Sequence, residues 1–178
     1  AMPNVARTWL FMDDILAWYG PLNQVRREFF ERHHLFDHTV PASTGVGVKN
    51  PVGAAMVAGA WAVQPANGSL FVGEMGSPLQ CPAPAYGSCF SRAVEIVTPG
   101  WRRIFISGTA SIAPKGQSVC AGDMDGQIDL TMQVVRAIGG RAPLHLTSVG
   151  KLFLAHDDPQ RVRAYATRTG LAGHTRNS

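Results

Sequence analysis

The sequence predicts an α+β fold, in which two layers form and helices cover one face of a mixed sheet. From residue 90 onward, strand-like and helix-like hydrophobic patterns follow one another in the order β-β-α-β-α. Of the 178 residues, 46% are hydrophobic and 16% are charged, which is typical of a folded globular chain with a sizeable core. We therefore expect one compact domain, with a helix, a strand pair and a long loop over 1–87, and the β-β-α-β-α unit over 88–178.

The N-terminal part contains the first predicted elements. A helix over 8–20 is indicated by apolar residues at helical spacing, namely Trp9, Met12, Ile15, Leu16 and Tyr19. Gly20-Pro21 is expected to interrupt this helix, with Pro21 as the first residue of a second one. Strands are predicted over 43–48 and 54–64, which are rich in valine, alanine and glycine and are joined by the turn signal KNPVG.

The middle of the chain, 65–90, reads as an irregular loop. A loop of this length in a compact domain is unusual and often lines a functional site or a subunit contact. The two strands of the C-terminal unit are then predicted over 90–97 and 102–112.

Two helices and a further strand complete the prediction. Asp123 or Asp125 is expected to cap a helix at about 126–138, and Gly139-Gly140 to end it. A strand is predicted over 146–155. A last helix over 159–169 is expected to begin after Asp158 and to end at Gly170, with frayed residues after it.

Composition restricts the classes of partner. The net charge is +4 and the pI is about 9.3, but the arginines are scattered, so neither nucleic acid nor a membrane is an expected partner. A small anionic metabolite fits this charge equally well. The three cysteines form no CxxC motif, so we expect no disulfide framework, no metal site and a reducing, cytoplasmic location. No apolar run approaches 18 residues, and no organic cofactor is expected because the phosphate-binding glycine motifs are missing.

The candidate site lies in the loop SPLQCPAPAYGSCFSRA and in the SGTASI segment that follows the strand at 102–106. These segments contain hydroxyls, a glycine and a guanidinium that could hold a small carboxylate: Tyr86, Arg92, Ser107, Gly108, Thr109 and Ser111. Arginine binds a carboxylate through two parallel hydrogen bonds, hydroxyls add single bonds, and glycine allows close approach to the backbone. The alternative is turn chemistry with strand-facing hydroxyls, which spacing alone favours.

Three stretches together resemble a known family. FSRAVEIV, RRIFISGTASIAPKGQSVCAGDMDGQ and SVGKLFLAHDDPQRVRAY resemble the RidA (YjgF, endoribonuclease L-PSP) superfamily over about 88–169. Upstream, RTWLFMDDI, PASTGVGV and SPLQCPAPAYGSCFSRA resemble its chorismatase branch, whose members hydrolyse chorismate. The resemblance implies a trimeric chorismate-mutase-like fold, a homotrimer, and pockets near the subunit clefts with the SGTAS segment on their wall.

The sequence also departs from that family. The separate N-terminal domain of chorismatases is mostly not represented, and Tyr86-Gly87 is followed by Ser88 rather than by the family's arginine. No acidic residue follows Asp158, although the family places a catalytic glutamate on a final strand. The remaining candidates for an acid or base are Glu74, Glu95 or a group from a neighbouring subunit.

Three functions are compatible with these observations. The first is a chorismatase-like hydrolase or lyase that acts on a small cyclic carboxylate in a specialised biosynthetic pathway. The second is RidA-type hydrolysis of an imine or enamine, in which Arg92 or Arg103 would hold the substrate carboxylate. The third is a ligand-binding homologue without catalytic activity. A ribonuclease would need a basic, aromatic-lined groove, which the sequence does not indicate.

Overall fold

The computed structural model describes residues 4–65, 70–139, 154 and 158–170. The chain divides into two compact units, Ala1–Gly139 and Gly140–Ser178. Helices and strands are mixed along the chain, as the α+β prediction requires. The predicted fold class is therefore confirmed.

The first sheet is mixed and has three strands in the order β2-β1-β3. The central strand β1 (Asn4–Met12) pairs in parallel with β2 (Ala42–Gly47) and antiparallel with β3 (Met56–Val63). The predicted strands over 43–48 and 54–64 are thus present, but they flank β1 and do not pair with each other. The predicted helix over 8–20 is wrong in its first half, because Leu10 and Met12 alternate inward along a strand.

A single long helix, α1 (Ile15–Arg32), follows β1. The side chain of Asp14 caps it by accepting a hydrogen bond from the Ala17 N–H at 3.2 Å. The expected break at Gly20-Pro21 does not occur, and Pro21 lies inside the helix. Further along the helix, Phe30 is buried and packs with Val40 and Cys89, which ties the second half of α1 to the rest of the fold.

The second sheet is antiparallel, with the order β4-β5-β6. Its strands are β4 (Phe71–Met75), β5 (Ala93–Val97) and β6 (Arg102–Ile106). The strand β4 lies in the stretch that was predicted to be an irregular loop, so that prediction is wrong for Phe71–Met75. The predicted strand over 102–112 ends at Ile106, and an irregular segment follows it.

A small polar joint connects the two sheets. Ala42, at the start of β2, forms a parallel bridge to Ser91, just before β5. The Ser107 hydroxyl donates to the Ser91 carbonyl at 2.5 Å and accepts from the Ser43 N–H at 2.8 Å. The Gly108 N–H donates to the Ser43 carbonyl at 3.0 Å. The end of β6 is thereby held against the edge of β2.

The core has an apolar cluster on each face of β5. Val94 and Ile96 are fully buried and pack with Ala6 and Ala42 of the first sheet. On the opposite face, Ala93 packs against Val134 and Ile138 of α2 (Met124–Gly139). Each fully buried aliphatic side chain of this kind contributes about 1.5–3 kcal/mol.

Helix α2 begins as predicted. The Asp123 carboxylate accepts from the Gly126 N–H at 3.0 Å, so Asp123, and not Asp125, caps the helix. Within the described residues, no helix is long and apolar enough to span a bilayer. The same residues bring together no group of three or more His, Cys, Asp or Glu side chains that could hold a metal ion.

In the second unit the structure describes the helix α3 (Pro159–Thr169). Its bounds match the predicted helix over 159–169. The Asp158 side chain accepts from the Gln160 and Arg161 N–H groups, and Gly170 ends the helix with φ of 63°. The predicted strand over 146–155 lies outside the described residues except for Leu154, and the expected C-terminal fraying lies outside them altogether.

Candidate functional site

A cavity of about 540 Å³ lies at the edge of β2 that does not face β1. Its apolar floor includes Leu10 and Met12 of β1, and α1 closes one side. The opposite side consists of the 86–92 segment and of the 108–116 segment that follows β6. The volume falls within the usual range for small-molecule sites.

Arg92 is a buried cation in the cavity wall. It is 4% exposed, and its Nε and Nη2 atoms donate to the Cys81 carbonyl at 3.0 and 2.7 Å. The guanidinium lies over the rings of Tyr86 and Phe90, 5.4 and 5.7 Å from their centroids. Because one edge of the guanidinium is held by Cys81, the Nη1–Nη2 edge is left for a carboxylate.

A second arginine, Arg26 on α1, also lines the cavity. Its Nη2 donates to the Cys89 carbonyl at 2.6 Å, and its guanidinium lies 5.6 Å from the Phe30 ring centroid. Burial lowers the pKa of Arg26 from its usual value. Sequence reasoning missed Arg26 as a site residue. The sequence could have indicated it, because Arg26 stands among the apolar positions of a predicted helix.

Two tyrosines add phenol groups to the lining. The Tyr19 hydroxyl lies 3.0 Å from the Ser88 hydroxyl, which is itself buried. Burial raises the pKa of Tyr86, and the neighbouring Arg92 opposes that shift to a smaller extent. At neutral pH, Tyr86 is therefore a protonated hydrogen-bond donor. Sequence reasoning had selected Tyr86 but had assigned Tyr19 to helix packing.

The segment after β6 contributes Gly108, Thr109 and Ala110 to the lining. The Thr109 hydroxyl donates to Oε1 of Gln80 at 2.9 Å. The Gln80 amide, 4% exposed, donates in turn to the carbonyls of Ala110 and Ile112 at 3.2 and 3.4 Å. Gln80 therefore fixes the shape of this wall, a role that spacing in the sequence did not indicate.

Two of the predicted binding hydroxyls do not line the cavity. Ser107 is used in the joint between the sheets, and Ser111 donates to the Val119 carbonyl at 2.9 Å. Both are buried, so their hydrogen-bonding capacity serves the backbone. The geometry of Ser107 and Ser111 therefore agrees with the alternative to ligand binding, in which these hydroxyls bond the backbone of turns and strands.

Three predicted charged residues also lie away from the cavity. Glu74 is exposed on β4, where it accepts from the Val40 N–H at 2.7 Å. Glu95 forms an ion pair with Arg102 at 2.6 Å. Arg103 is exposed and lies over the rings of Trp61 and Trp101, 5.9 and 5.5 Å from their centroids. The structure therefore does not bring Glu74, Glu95 and Arg103 together with Tyr86 and Arg92.

The resulting cavity is electropositive. Of the described residues that line it, two are arginines and none carries a carboxylate. Successive residues of a strand point their backbone N–H groups to opposite edges. The Ser43 N–H points away from β1, toward the end of β6, where it donates to the Ser107 hydroxyl. The N–H of Gly45, two residues further along β2, therefore also points away from β1 and toward the cavity. Guanidinium, hydroxyl and backbone N–H donors around an apolar floor suit a small organic anion.

The comparisons with known proteins bear mainly on the fold. A solved structure of a chorismatase matches with a TM-score of 0.63 and 23% sequence identity, over 75% of this chain and 42% of that one. This chain therefore spans less than half the length of the chorismatase. A family model described as bacterial transcriptional regulator IclR C-terminal matches residues 127–178, less than a third of the chain.

No curated protein matched the sequence. The match to the IclR model is too short to show the family of the chain, and neither finding tests the resemblance to the RidA superfamily, which stays a prediction. What the comparisons show is that three quarters of this chain shares the α+β fold of a chorismatase.

Proposed function

We propose that this protein is a chorismatase-like hydrolase or lyase that acts on a small cyclic metabolite bearing a carboxylate. The proposal depends on one observation: Arg26 and Arg92 both line the cavity, and none of the described lining residues carries a carboxylate that would neutralise them. The structural likeness to a chorismatase supports the reaction class. Metal and organic cofactors form no part of the proposal.

The cavity supports a defined orientation for such a ligand. Its carboxylate would bind the Nη1–Nη2 edge of Arg92, because the other edge is already held by Cys81. Tyr86 and Phe90 stand edge to face, with 6.5 Å between their centroids, and offer an aromatic wall for a ring. Leu10 and Met12 complete an apolar surface opposite the polar groups.

Hydrolysis or elimination needs a proton donor within reach of the leaving group. The lining groups that can supply one are the phenols of Tyr19 and Tyr86. Tyr86 is protonated at neutral pH, as tyrosines ordinarily are, and burial raises its pKa further, so it is available as a hydrogen-bond donor to a developing negative charge. We therefore propose these tyrosines, in place of Glu74 and Glu95, as the proton-donating groups.

A second candidate function is that the protein binds the same class of ligand without transforming it. It is favoured because the described lining residues include no carboxylate that could act as an acid or base. One experiment separates the two. The purified protein is incubated at high concentration with chorismate, products are followed by chromatography, and binding is measured by calorimetry. Turnover supports the enzyme, binding without product supports the second candidate, and absence of both contradicts the proposal. Freshly generated imino acids in the same assay test the deaminase alternative.

We also propose a homotrimer. A band of exposed apolar side chains crosses the first sheet, where Phe11 lies opposite Val46 and Val57, and each is at least 36% exposed. Such bands are typical of protein contact surfaces. Light scattering is expected to give three times the chain mass, and Phe11→Glu is expected to reduce it. A monomeric mass for the unaltered protein would contradict this part of the proposal.

A further inference from the structure

A pair of hydroxyl groups joins α1 to the 86–92 segment. The Tyr19 hydroxyl oxygen lies 3.0 Å from the Ser88 hydroxyl oxygen. Ser88 is 1% exposed, whereas Tyr19 is 43% exposed. Tyr19 lines the cavity, and the described lining does not include Ser88. The pair thus has one buried member and one member at the cavity, and the direction of the bond between them decides which hydroxyl proton is free.

The direction of this bond follows from burial. A serine hydroxyl has one proton to donate. Among the described residues, the Ser88 hydroxyl has a single hydrogen-bond partner, the Tyr19 hydroxyl. If Tyr19 were the donor, the Ser88 proton would be left unpaired at a buried position, which is unfavourable. Ser88 therefore donates to Tyr19, and the Tyr19 proton is left for a group on the exposed side of the phenol.

The helix face that carries Tyr19 is directed at the cavity. Tyr19, Leu22 and Arg26 are three and four residues apart, so they share one face of α1, and all three line the cavity. One turn earlier on the same face, Ile15 contacts β2, since a Cβ atom at Gly47 would lie 2.8 Å from Cγ2 of Ile15. This face of α1 therefore lies against β2 and the cavity beside it.

The hydroxyl end of Tyr19 lies near two polar groups of the lining. Burial lowers the pKa of Arg26, and Tyr19 is one of two groups that oppose this shift. Burial is the main cause of the raised pKa of Tyr86, and Tyr19 adds to it. Both effects act through the Tyr19 hydroxyl oxygen, which must therefore be near Arg26 and Tyr86. Consecutive residues hold the two side chains of α1, because Tyr19 bonds Ser88 and Arg26 donates to the Cys89 carbonyl at 2.6 Å.

From these contacts we propose that Tyr19 is a ligand-contacting hydroxyl donor and that Ser88 is a positioning residue, which holds the Tyr19 oxygen so that its proton points toward an anion bound beside Arg26. This inference rests on the proposed function, because the ligand is the anion proposed there. It gives the Tyr19 proton a direction and adds a residue that does not itself line the cavity. Neither Tyr19 nor Ser88 had been selected from the sequence as a site residue.

The test measures chorismate and benzoate affinity by calorimetry in Tyr19→Phe, Ser88→Ala and the Tyr19→Phe/Ser88→Ala double variant. We expect Tyr19→Phe to weaken binding about 10-fold or more, because a hydrogen bond to a charged group is lost. Ser88→Ala is expected to weaken binding only about threefold, because Tyr19 keeps its hydroxyl and loses its orientation. The double variant is expected to bind no more weakly than Tyr19→Phe, because Ser88 acts through Tyr19.

Control variants separate this effect from damage to the fold. Ser88→Cys keeps a weaker proton donor of similar size, so its affinity is expected to lie between those of the unaltered protein and Ser88→Ala. Trp18→Phe and Ser77→Ala change residues that the described lining does not include, and both are expected to keep the affinity of the unaltered protein. Urea unfolding of each variant measures its stability separately.

Two results would overturn the inference and leave the proposed function standing. Unchanged affinity in Tyr19→Phe would show that its proton does not reach the ligand. Equal losses in Tyr19→Phe and Ser88→Ala would show that the pair only supports the fold. If the unaltered protein binds neither anion, the inference and the proposed function both fail. If Ser88→Ala does not fold, Ser88→Cys takes its place, and a loss equal to that of Tyr19→Phe contradicts the assignment.

Discussion

Replacement of Arg92 by glutamine tests the central cation of the cavity. Glutamine retains polarity and some length but loses the charge and the planar edge that can hold a carboxylate through two bonds. Arg103→Gln is the matched control, because Arg103 lies on a neighbouring strand, is exposed, and contacts Trp61 and Trp101 outside the cavity. The two variants lose the same charge, Arg92→Gln from the buried wall of the cavity and Arg103→Gln from an exposed position outside it.

The expected magnitude follows from the contacts. Hydrogen bonds to charged groups contribute about 1.5–3 kcal/mol each, and Arg92 has one free edge for a carboxylate. A loss of about 3 kcal/mol corresponds to roughly 100-fold weaker binding. Because Arg92 also holds the Cys81 carbonyl, Arg92→Gln is expected to lower the free energy of unfolding by about 1–3 kcal/mol as well.

Calorimetric titration with chorismate measures the dissociation constant, and urea unfolding measures the stability separately. Arg92→Lys, which keeps the charge without the paired donors, is expected to lie between the unaltered protein and Arg92→Gln. Arg103→Gln is expected to bind within about twofold of the unaltered protein, since an exposed charge outside the cavity is screened. Equal losses in Arg92→Gln and Arg103→Gln would refute the assignment of the ligand to Arg92.

Three further predictions concern the structure around the cavity. Gly108→Ala is expected to lower the urea midpoint, because its Cβ would lie 2.9 Å from Cγ2 of Thr44; an unchanged midpoint would contradict this close packing. Ser107→Ala is expected to cost about 2–4 kcal/mol in urea unfolding, because two buried backbone groups lose their partner; a loss below about 0.5 kcal/mol would contradict the role of the joint. Burial raises the pKa of Tyr86, so its contribution to folding stability is retained below pH 10 and is lost as the pH rises further. Titration followed by absorbance is expected to show one phenol that ionises late and that Tyr86→Phe removes. An identical titration curve for Tyr86→Phe would contradict this assignment.

The sequence predicted those elements whose signals are local. Helix α3 has both of its ends marked, by Asp158 before Pro159 and by Gly170 after the last turn, and its bounds were correct. Helix α2 has the Asp123 cap and an apolar face, and it was placed within a few residues. In each case the side chain that determines the end of the helix is adjacent to it in the chain.

The elements that were missed depend on distant partners. The window around Trp9 has apolar residues at helical spacing, yet β1 is a strand because β2 and β3 supply hydrogen bonds on both of its edges. Strand β4 has only five residues and forms by pairing with β5. Periodicity within a short window does not contain that information.

The same distinction applies to the site. Tyr86, Arg92, Gly108 and Thr109 were selected from the sequence because they stand in polar, glycine-containing segments, and all four line the cavity. Arg26 was not found, because only the docking of α1 beside β2 brings it to the cavity. Ser107 and Ser111 carry hydroxyls that could equally well bind a ligand. Only the structure shows that these hydroxyls already donate to the Ser91 and Val119 carbonyls.

The most direct test of the account is a crystal structure of the protein with a bound cyclic carboxylate. The account predicts that the carboxylate oxygens lie within hydrogen-bonding distance of the Nη1–Nη2 edge of Arg92, with the ring against Tyr86 and Phe90. A carboxylate bound at Arg102 or Arg103 on β6, with the cavity occupied only by water, would contradict it.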